Sequence, residues 1–366
     1  MKNRVQERFL TVRKIATRHG WKYGYRQFLS VSLALTLSSG ALAVTPVSDQ
    51  QGWSGYLMLG AGYTDVESNT VAGNDLIDGG PDTIGSIDDK PRSSDSTHAV
   101  AGAEIKYTLA NRNQIFLGGS LEDQLTLDFA TQLGWRKQTE KIGAFQASFL
   151  FSGIPVEVWE DPYLAGSRRS ETDRDSSGVR FEWSSIMGSA FELTAQVREI
   201  DLDNELSGTD PGLDCDLNCQ SMLDRNGDQY QLRLSYTFNW SGGHVFRPQI
   251  RYRREDRDGE AVARDAYALQ LTYSYLSATW IVVANALYGE SSFDKANPLY
   301  GIKQDADTLA LDGSVLYRLP TESGRWQLIA NAVWAESDSD IRFHDNKITQ
   351  VSLGVIYNFG KMQGTR

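Results

Sequence analysis

The chain has 366 residues, with 36 Lys and Arg against 47 Asp and Glu, a formal net charge of −11, two Cys and four His. So acidic a chain does not hold nucleic acid by neutralising phosphates. Beyond residue 43 no run of 18 apolar residues occurs, which excludes a membrane-spanning helix.

Residues 1–27 carry eight basic side chains and one acid, and FLSVSLALTLSSGALA follows from Phe28 to Ala43. A basic leader, a short apolar core and an Ala41-Leu42-Ala43 end read as a Sec signal peptide. The expected division is signal peptide 1–43 and exported domain 44–366, which holds 28 basic and 46 acidic residues, a net −18. Such a domain is periplasmic, secreted, or an outer-membrane barrel.

From residue 53 onward the chain alternates. WSGYLMLGAGY (53–63), HAVAGAEIKYTL (98–109), YQLRLSYTFNW (230–240) and TLALDGSVLYRL (308–319) each present an apolar face and a polar one, the period-two signature of a strand. In the third, Tyr230, Leu232, Leu234, Tyr236, Phe238 and Trp240 face one way and Gln231, Arg233, Ser235, Thr237 and Asn239 the other. The runs are 9–13 residues long, enough to cross a bilayer on a tilt. In order, strands are predicted at about 53–65, 97–109, 114–122, 125–137, 142–152, 177–188, 191–200, 229–240, 245–255, 265–276, 279–290, 307–319, 326–336 and 347–359. Links after even strands are short and those after odd strands mostly long, notably 66–96, 153–176 and 201–228. Fourteen strands with short periplasmic turns and long outer loops predict an all-β, antiparallel up-and-down barrel in the outer membrane of a Gram-negative cell. Tyr107, Trp135, Phe191, Trp240, Phe246, Tyr275, Trp280, Tyr317 and Trp326 gather beside the short turns, as an interfacial girdle would.

The first mature segment, GWSGYLMLGAGYTDVESN (52–69), resembles the outer-membrane protein family known as domain of unknown function 2860. The resemblance implies a porin-like barrel and carries no activity. Near the chain's end, Ser352, Gly354, Tyr357 and Phe359 in VSLGVIYNFG resemble the last-strand signal that the barrel-assembly machinery reads. That resemblance implies the machinery as a partner. The signal usually closes the chain, whereas here KMQGTR follows it.

Parity turns Arg180, Arg198, Arg233, Arg247, Arg251 and Arg253 inward on strands six to nine, and Glu104, Glu122, Asp128 and Asp312 inward on strands two to four and twelve. Two readings stay open. A basic wall facing an acidic one orders polar or anionic solutes in a pore; or Arg180, Glu182, Glu192 and Arg198 pair with neighbours and simply stiffen the wall. Phe116, Ile281, Val283, Leu287, Leu316, Ile329 and Val333 also fall inward, so either part of the lumen is apolar or a bulge flips the register.

Cys215 and Cys219 in DCDLNC are expected to form a disulfide that pins the 201–228 loop. Asp224, Asn226 and Asp228 have the early spacing of a calcium loop, but Ser235 stands where its Glu belongs, so no metal or cofactor is expected. Diffuse divalent bridging of the acidic loops to lipopolysaccharide is the better reading. The acidic first loop (73–96) either folds into the mouth or stays mobile. Asp95, Ser96 and His98 are the only trio suited to catalysis, and residues two apart on a strand sit too far apart for it, so no enzyme is expected. The sequence therefore predicts a passive channel for small polar or anionic solutes; the alternative is a non-conducting barrel displaying acidic loops for adhesion, envelope integrity or phage attachment.

Overall fold

The computed structural model describes residues 47, 50–74, 77–119, 130–152 and 156–360. The proposed signal peptide, Glu122, Asp128 and the KMQGTR tail lie outside the described residues. Among the described residues fourteen strands form the wall: β1 (Gly52–Glu67), β2 (Ser93–Thr108), β3 (Asn113–Gly119), β4 (Ala130–Gln138), β5 (Ala144–Ser152), β6 (Glu171–Ser184) and β7 (Phe191–Leu202). They continue with β8 (Gly227–Tyr236, resuming at Phe238–Trp240), β9 (His244–Arg257), β10 (Arg264–Leu276), β11 (Trp280–Phe293), β12 (Ala306–Arg318), β13 (Trp326–Ser339) and β14 (Asn346–Gly360). Each pairs antiparallel with its neighbours in sequence. The wall closes where β14 meets β1, in unbroken register from Ser54↔Gly360 to Glu67↔Lys347. Among the described residues each wall strand has a neighbour on both sides, and this pairing is what satisfies backbone donors where no water is at hand.

Alternation has the predicted sense. On β14, Leu353 is 69 % exposed on the outside while Ser352 is 7 % exposed within. Polar side chains point in and apolar ones point out, the reverse of a water-soluble sandwich. At the short-turn end, cross-strand aromatic pairs ring the outside: Trp53 with Tyr107 (4.9 Å), Phe191 with Tyr236 (4.7 Å), Trp280 with Tyr317 (4.6 Å) and Trp326 with Tyr357 (4.7 Å). A second belt lies at the other end. There Tyr230 donates to Asp228 (3.1 Å), Tyr252 to Asp265 (2.7 Å) and Tyr288 to Glu290 (3.0 Å), rings toward lipid and hydroxyls on rim carboxylates.

The long links do not hang free. Two short strands, Val71–Asn74 and Val156–Trp159, pair with each other, and the latter continues along the outer end of β6. Beyond them, Ile84, Tyr163, Leu223, Ala261, Ile341 and Phe343, drawn from links far apart in sequence, share one hydrophobic core with Leu299 and Tyr300. The links thus build a cap with its own buried interior. The first loop contributes Ile84 to that interior.

Candidate functional site

The interior is built row by row from strand pairing. One row crosses β6 to β9 as Arg180, Gln196, Gln231 and Arg253. Arg180 donates to Gln196 Oε1 (2.7 Å), and Arg253 donates twice to Gln231 Oε1 (3.1 Å). One step toward the short turns, Glu182, Thr194, Arg233 and Arg251 are in register, and this row continues through Gln146 to Arg136. Arg233 and Arg251 are direct cross-strand partners, an arrangement of like charges that costs stability. One step outward, Arg198 aligns with Gln229, Glu255 and Arg264. Of the six arginines expected inward, Arg180, Arg198, Arg233, Arg251 and Arg253 therefore face the interior together in three successive rows, and Arg247 lies nearer the short turns, level with Thr272. β6 ends at Ser184, not 188, where Ser185 and Met187 take left-handed turn conformations.

Glu192 is held by Arg247, which also donates to Ser235 (2.9 Å), a pairing with a neighbouring strand. Glu104 and Asp312 do face inward, but each is satisfied locally. Glu104 lies 2.6 Å from Lys106; Asp312 accepts from Asn285 (2.5 Å) and Asn331 (2.9 Å). Around them Tyr56, Met58, Val100, Val283, Leu316, Ile329 and Ile356 form one buried cluster, with Ile281 against it. The register across β11 to β14 contains no bulge, so the inward apolar residues are a true apolar wall. Among the described residues the basic wall is therefore faced by a largely apolar wall carrying the two tied carboxylates Glu104 and Asp312; Glu122 and Asp128, expected on the same acidic wall, lie outside the described residues. Phe116 joins the basic side, with the Arg136 guanidinium 5.1 Å from its ring centre.

Above the arginine rows and beneath the cap lies a cavity of about 480 Å³. Its lining includes Arg198, Arg253, Arg257, Arg264 and Arg225, with Val156, Val158, Leu202 and Phe293 as an apolar side and Tyr163 and His344 overhead. At its wall Glu255 gathers Arg264 (2.9 Å), Arg257 (3.1 Å) and Arg253 (3.7 Å). Three guanidinium groups on one carboxylate leave a local excess of positive charge inside an acidic chain. None of the cap or cavity was readable in the sequence.

The cap is fastened by two arginines. Arg169 donates to the carbonyls of Asn69 (2.6 Å), Pro162 (3.1 Å) and Pro81, and lies 4.3 Å over the Trp159 ring. Burial lowers it to about 10, with Asp82 and Asp161 opposing, so it stays cationic at neutral pH. Arg225 binds Glu205 (2.6 Å) and the carbonyls of Trp159 and Glu160. A disulfide joins Cys215 to Cys219. Asp224 turns its carboxylate onto Asn226 N and Nδ2, Asn226 Oδ1 accepts from Leu202 N, and Asp228 takes Tyr230. These groups shape a turn, and among the described residues no cluster of His, Cys, Asp and Glu suits a metal. His98 faces inward, and among the described residues neither of its ring nitrogens is hydrogen-bonded.

His344 packs against the rings of Tyr163, Tyr300 and Phe343. Burial, then the charges of Arg264 and Arg225, push its imidazole from 6.5 down to about 3. The unfolded cap thus binds the proton more readily than the folded one, so cap stability is complete above about pH 6.5 and declines as pH falls toward 3. Protease nicking of the cap should accelerate on acidification from pH 7 to 4, and His344→Gln should flatten that dependence. An equally steep profile in the variant would refute the assignment.

One family model, described as protein of unknown function (DUF2860), matches residues 52–358. The chain belongs to that family. The match spans β1 to β14, so the family's shared unit is the barrel itself. No curated protein matches the chain. Among solved structures, the outer membrane channel DcaP of Acinetobacter baumannii is similar at 10 % identity and a TM-score of 0.41, over 84 % of this chain and 96 % of that one. The anion-selective porin from Comamonas acidovorans is similar at 9 % identity and 0.39, over 85 % and 100 %. A Pseudomonas aeruginosa FadL homologue reaches 12 % and 0.39, over 84 % and 91 %. These likenesses are remote and lend nothing to the choice of solute; the barrel rests on its own strand pairing.

Proposed function

We propose that this DUF2860 barrel is a capped outer-membrane passage for small polar solutes, favouring anions. The observation that carries the reading is the inward band of guanidinium groups on β6 to β9, set in an otherwise acidic chain. Guanidinium forks suit carboxylates and phosphates, and a cationic lining concentrates anions against the repulsion of the acidic exterior. Export by a Sec signal at 1–43, assembly through Ser352, Gly354, Tyr357 and Phe359, and contact of the acidic loops with lipopolysaccharide belong to the same proposal.

The test is the reversal potential of single channels in a planar bilayer under a potassium chloride gradient. Anion selectivity is expected, and Arg233→Glu with Arg251→Glu should move the potential toward cations. Steps with unchanged selectivity in that variant would remove the arginine band from the pathway. A second reading, a non-conducting display barrel, is favoured by the packed cap. It predicts no conductance even from a correctly inserted barrel.

A further inference from the structure

The cavity under the cap has a chemistry more specific than a general cationic lining. On one side Glu255 holds Arg253, Arg257 and Arg264 in a fixed cluster. The Arg257 side chain is only 7 % exposed, yet among the described residues its Nη1 is buried without a hydrogen-bond partner, as is Nε of Arg264. A buried donor without an acceptor is costly, and both of these line the cavity. Their charge is not balanced by Glu255 alone. Glu67 and Glu336 also line the cavity, Glu67 being tied to Lys347 (3.1 Å), so the lining arginines still outnumber the carboxylates and an acceptor carrying negative charge suits the two open donors.

The other side is apolar. Val156, Val158 and Leu202 are buried in one cluster where the short strand meets β6 and β7, while on the basic side the Arg264 guanidinium lies 5.2 Å from the Phe293 ring centre. Inorganic phosphate or a sugar would leave that face unused. Cavities of a few hundred cubic ångströms, mostly apolar with a few fixed polar groups, are the usual form of a small-molecule site.

From this juxtaposition we infer that the cavity is a binding site for a small organic anion: a carboxylate on a compact apolar or aromatic body. The carboxylate bridges Arg257 and Arg264, and the body lies against Val156, Val158 and Leu202. The inference deepens the anion-passage reading by naming a substrate class. The site would hold a solute between the cap and the arginine rows, and this rests on that reading; the binding itself does not.

Calorimetric titration of the purified full barrel in detergent tests it, with benzoate as the probe. Acetate supplies the charge without the body, benzyl alcohol the body without the charge, and inorganic phosphate the charge alone. Benzoate is expected to bind at least about tenfold tighter than each of the three, and Arg257→Gln should weaken it about tenfold or more, the loss of one charge-assisted hydrogen bond. Val158→Asn should narrow the gap between benzoate and acetate while leaving acetate unchanged. Equal binding of benzoate and acetate, or an unaltered constant in Arg257→Gln, would overturn the site. Should Arg257→Gln fail to show the heat-modifiable mobility of a folded barrel, Arg264→Gln serves the same purpose. Binding in detergent with no conductance in a bilayer would sink the passage and leave the site standing; conductance without benzoate binding would do the reverse.

Discussion

Arg169→Ala is expected to unfasten the cap while leaving the barrel intact. The side chain donates to three backbone carbonyls from separate segments, at Asn69, Pro81 and Pro162, and covers the face of Trp159. Truncation leaves those carbonyls without their donor in a place water does not readily reach. Charge-assisted bonds of this kind contribute ~1.5–3 kcal/mol each. Even with partial relaxation the loss is on the order of 3 kcal/mol, about a hundredfold in the opening equilibrium of the cap. Limited proteolysis should cut the 68–92 and 203–226 links far faster in the variant, and single-channel conductance should rise if the cap obstructs passage. Unchanged cleavage rates would show that the hydrophobic core around Phe343 holds the cap without the arginine. Arg169→Lys is expected to fall between, since one ammonium cannot reach three carbonyls in a fork's geometry.

Gly60→Ala should prevent closure of the barrel. Gly60 pairs with Gly354 across the β1–β14 seam, and a Cβ there would meet the Leu353 carbonyl oxygen at 2.3 Å and the Gly354 Cα at 2.8 Å. Both are backbone atoms of the closing strand, so no side chain can swing aside to relieve the overlap. Overpacking in a core costs ~1–3 kcal/mol when neighbours can adjust; at a seam that must stay hydrogen-bonded the cost is at least that. The seam is also the last contact that makes the sheet a barrel. The expected result is loss of the heat-modifiable band and a lower refolding yield. Gly313→Ala is the control, because an added Cβ at Gly313 meets nothing within 4 Å. Equal yields from the two variants would refute the steric argument.

Strand positions and faces were legible because a membrane imposes them locally. Each strand must turn apolar residues to lipid every second position, so Leu232 and Arg233 declare their sides without reference to the rest of the chain. Depth was not legible in the same way. Which rows Arg180, Arg198 and Arg233 share depends on stagger between neighbouring strands, and the left-handed turn at Ser185 and Met187 shifts it without altering alternation. The apolar wall was visible as a set of inward residues, Val283, Leu316 and Ile329 among them. Its meaning was not, since parity alone does not separate a real apolar lining from a bulge. The outer tyrosine belt carried a local signal that aromatic clustering near short turns overlooked: Tyr230 and Tyr288 each stand two residues from a rim carboxylate. The cap could not be foreseen at all. Ile84, Tyr163 and Phe343 look like stray apolar residues in polar links, and only the closed wall brings them within reach of one another.

That last dependence has a bearing on how the protein matures. The cap's core draws on Ile84, just past the first strand, and on Phe343, just before the last, so it is incomplete until β14 has taken its place beside β1. In the proposed outer-membrane placement its assembly falls on the cell's exterior, beyond ATP and the periplasmic chaperones, and runs on the burial of its own side chains. The finished dome is consequently a record of complete insertion: a barrel arrested one hairpin short would stand in the membrane with its vestibule uncovered and its loops open to proteases.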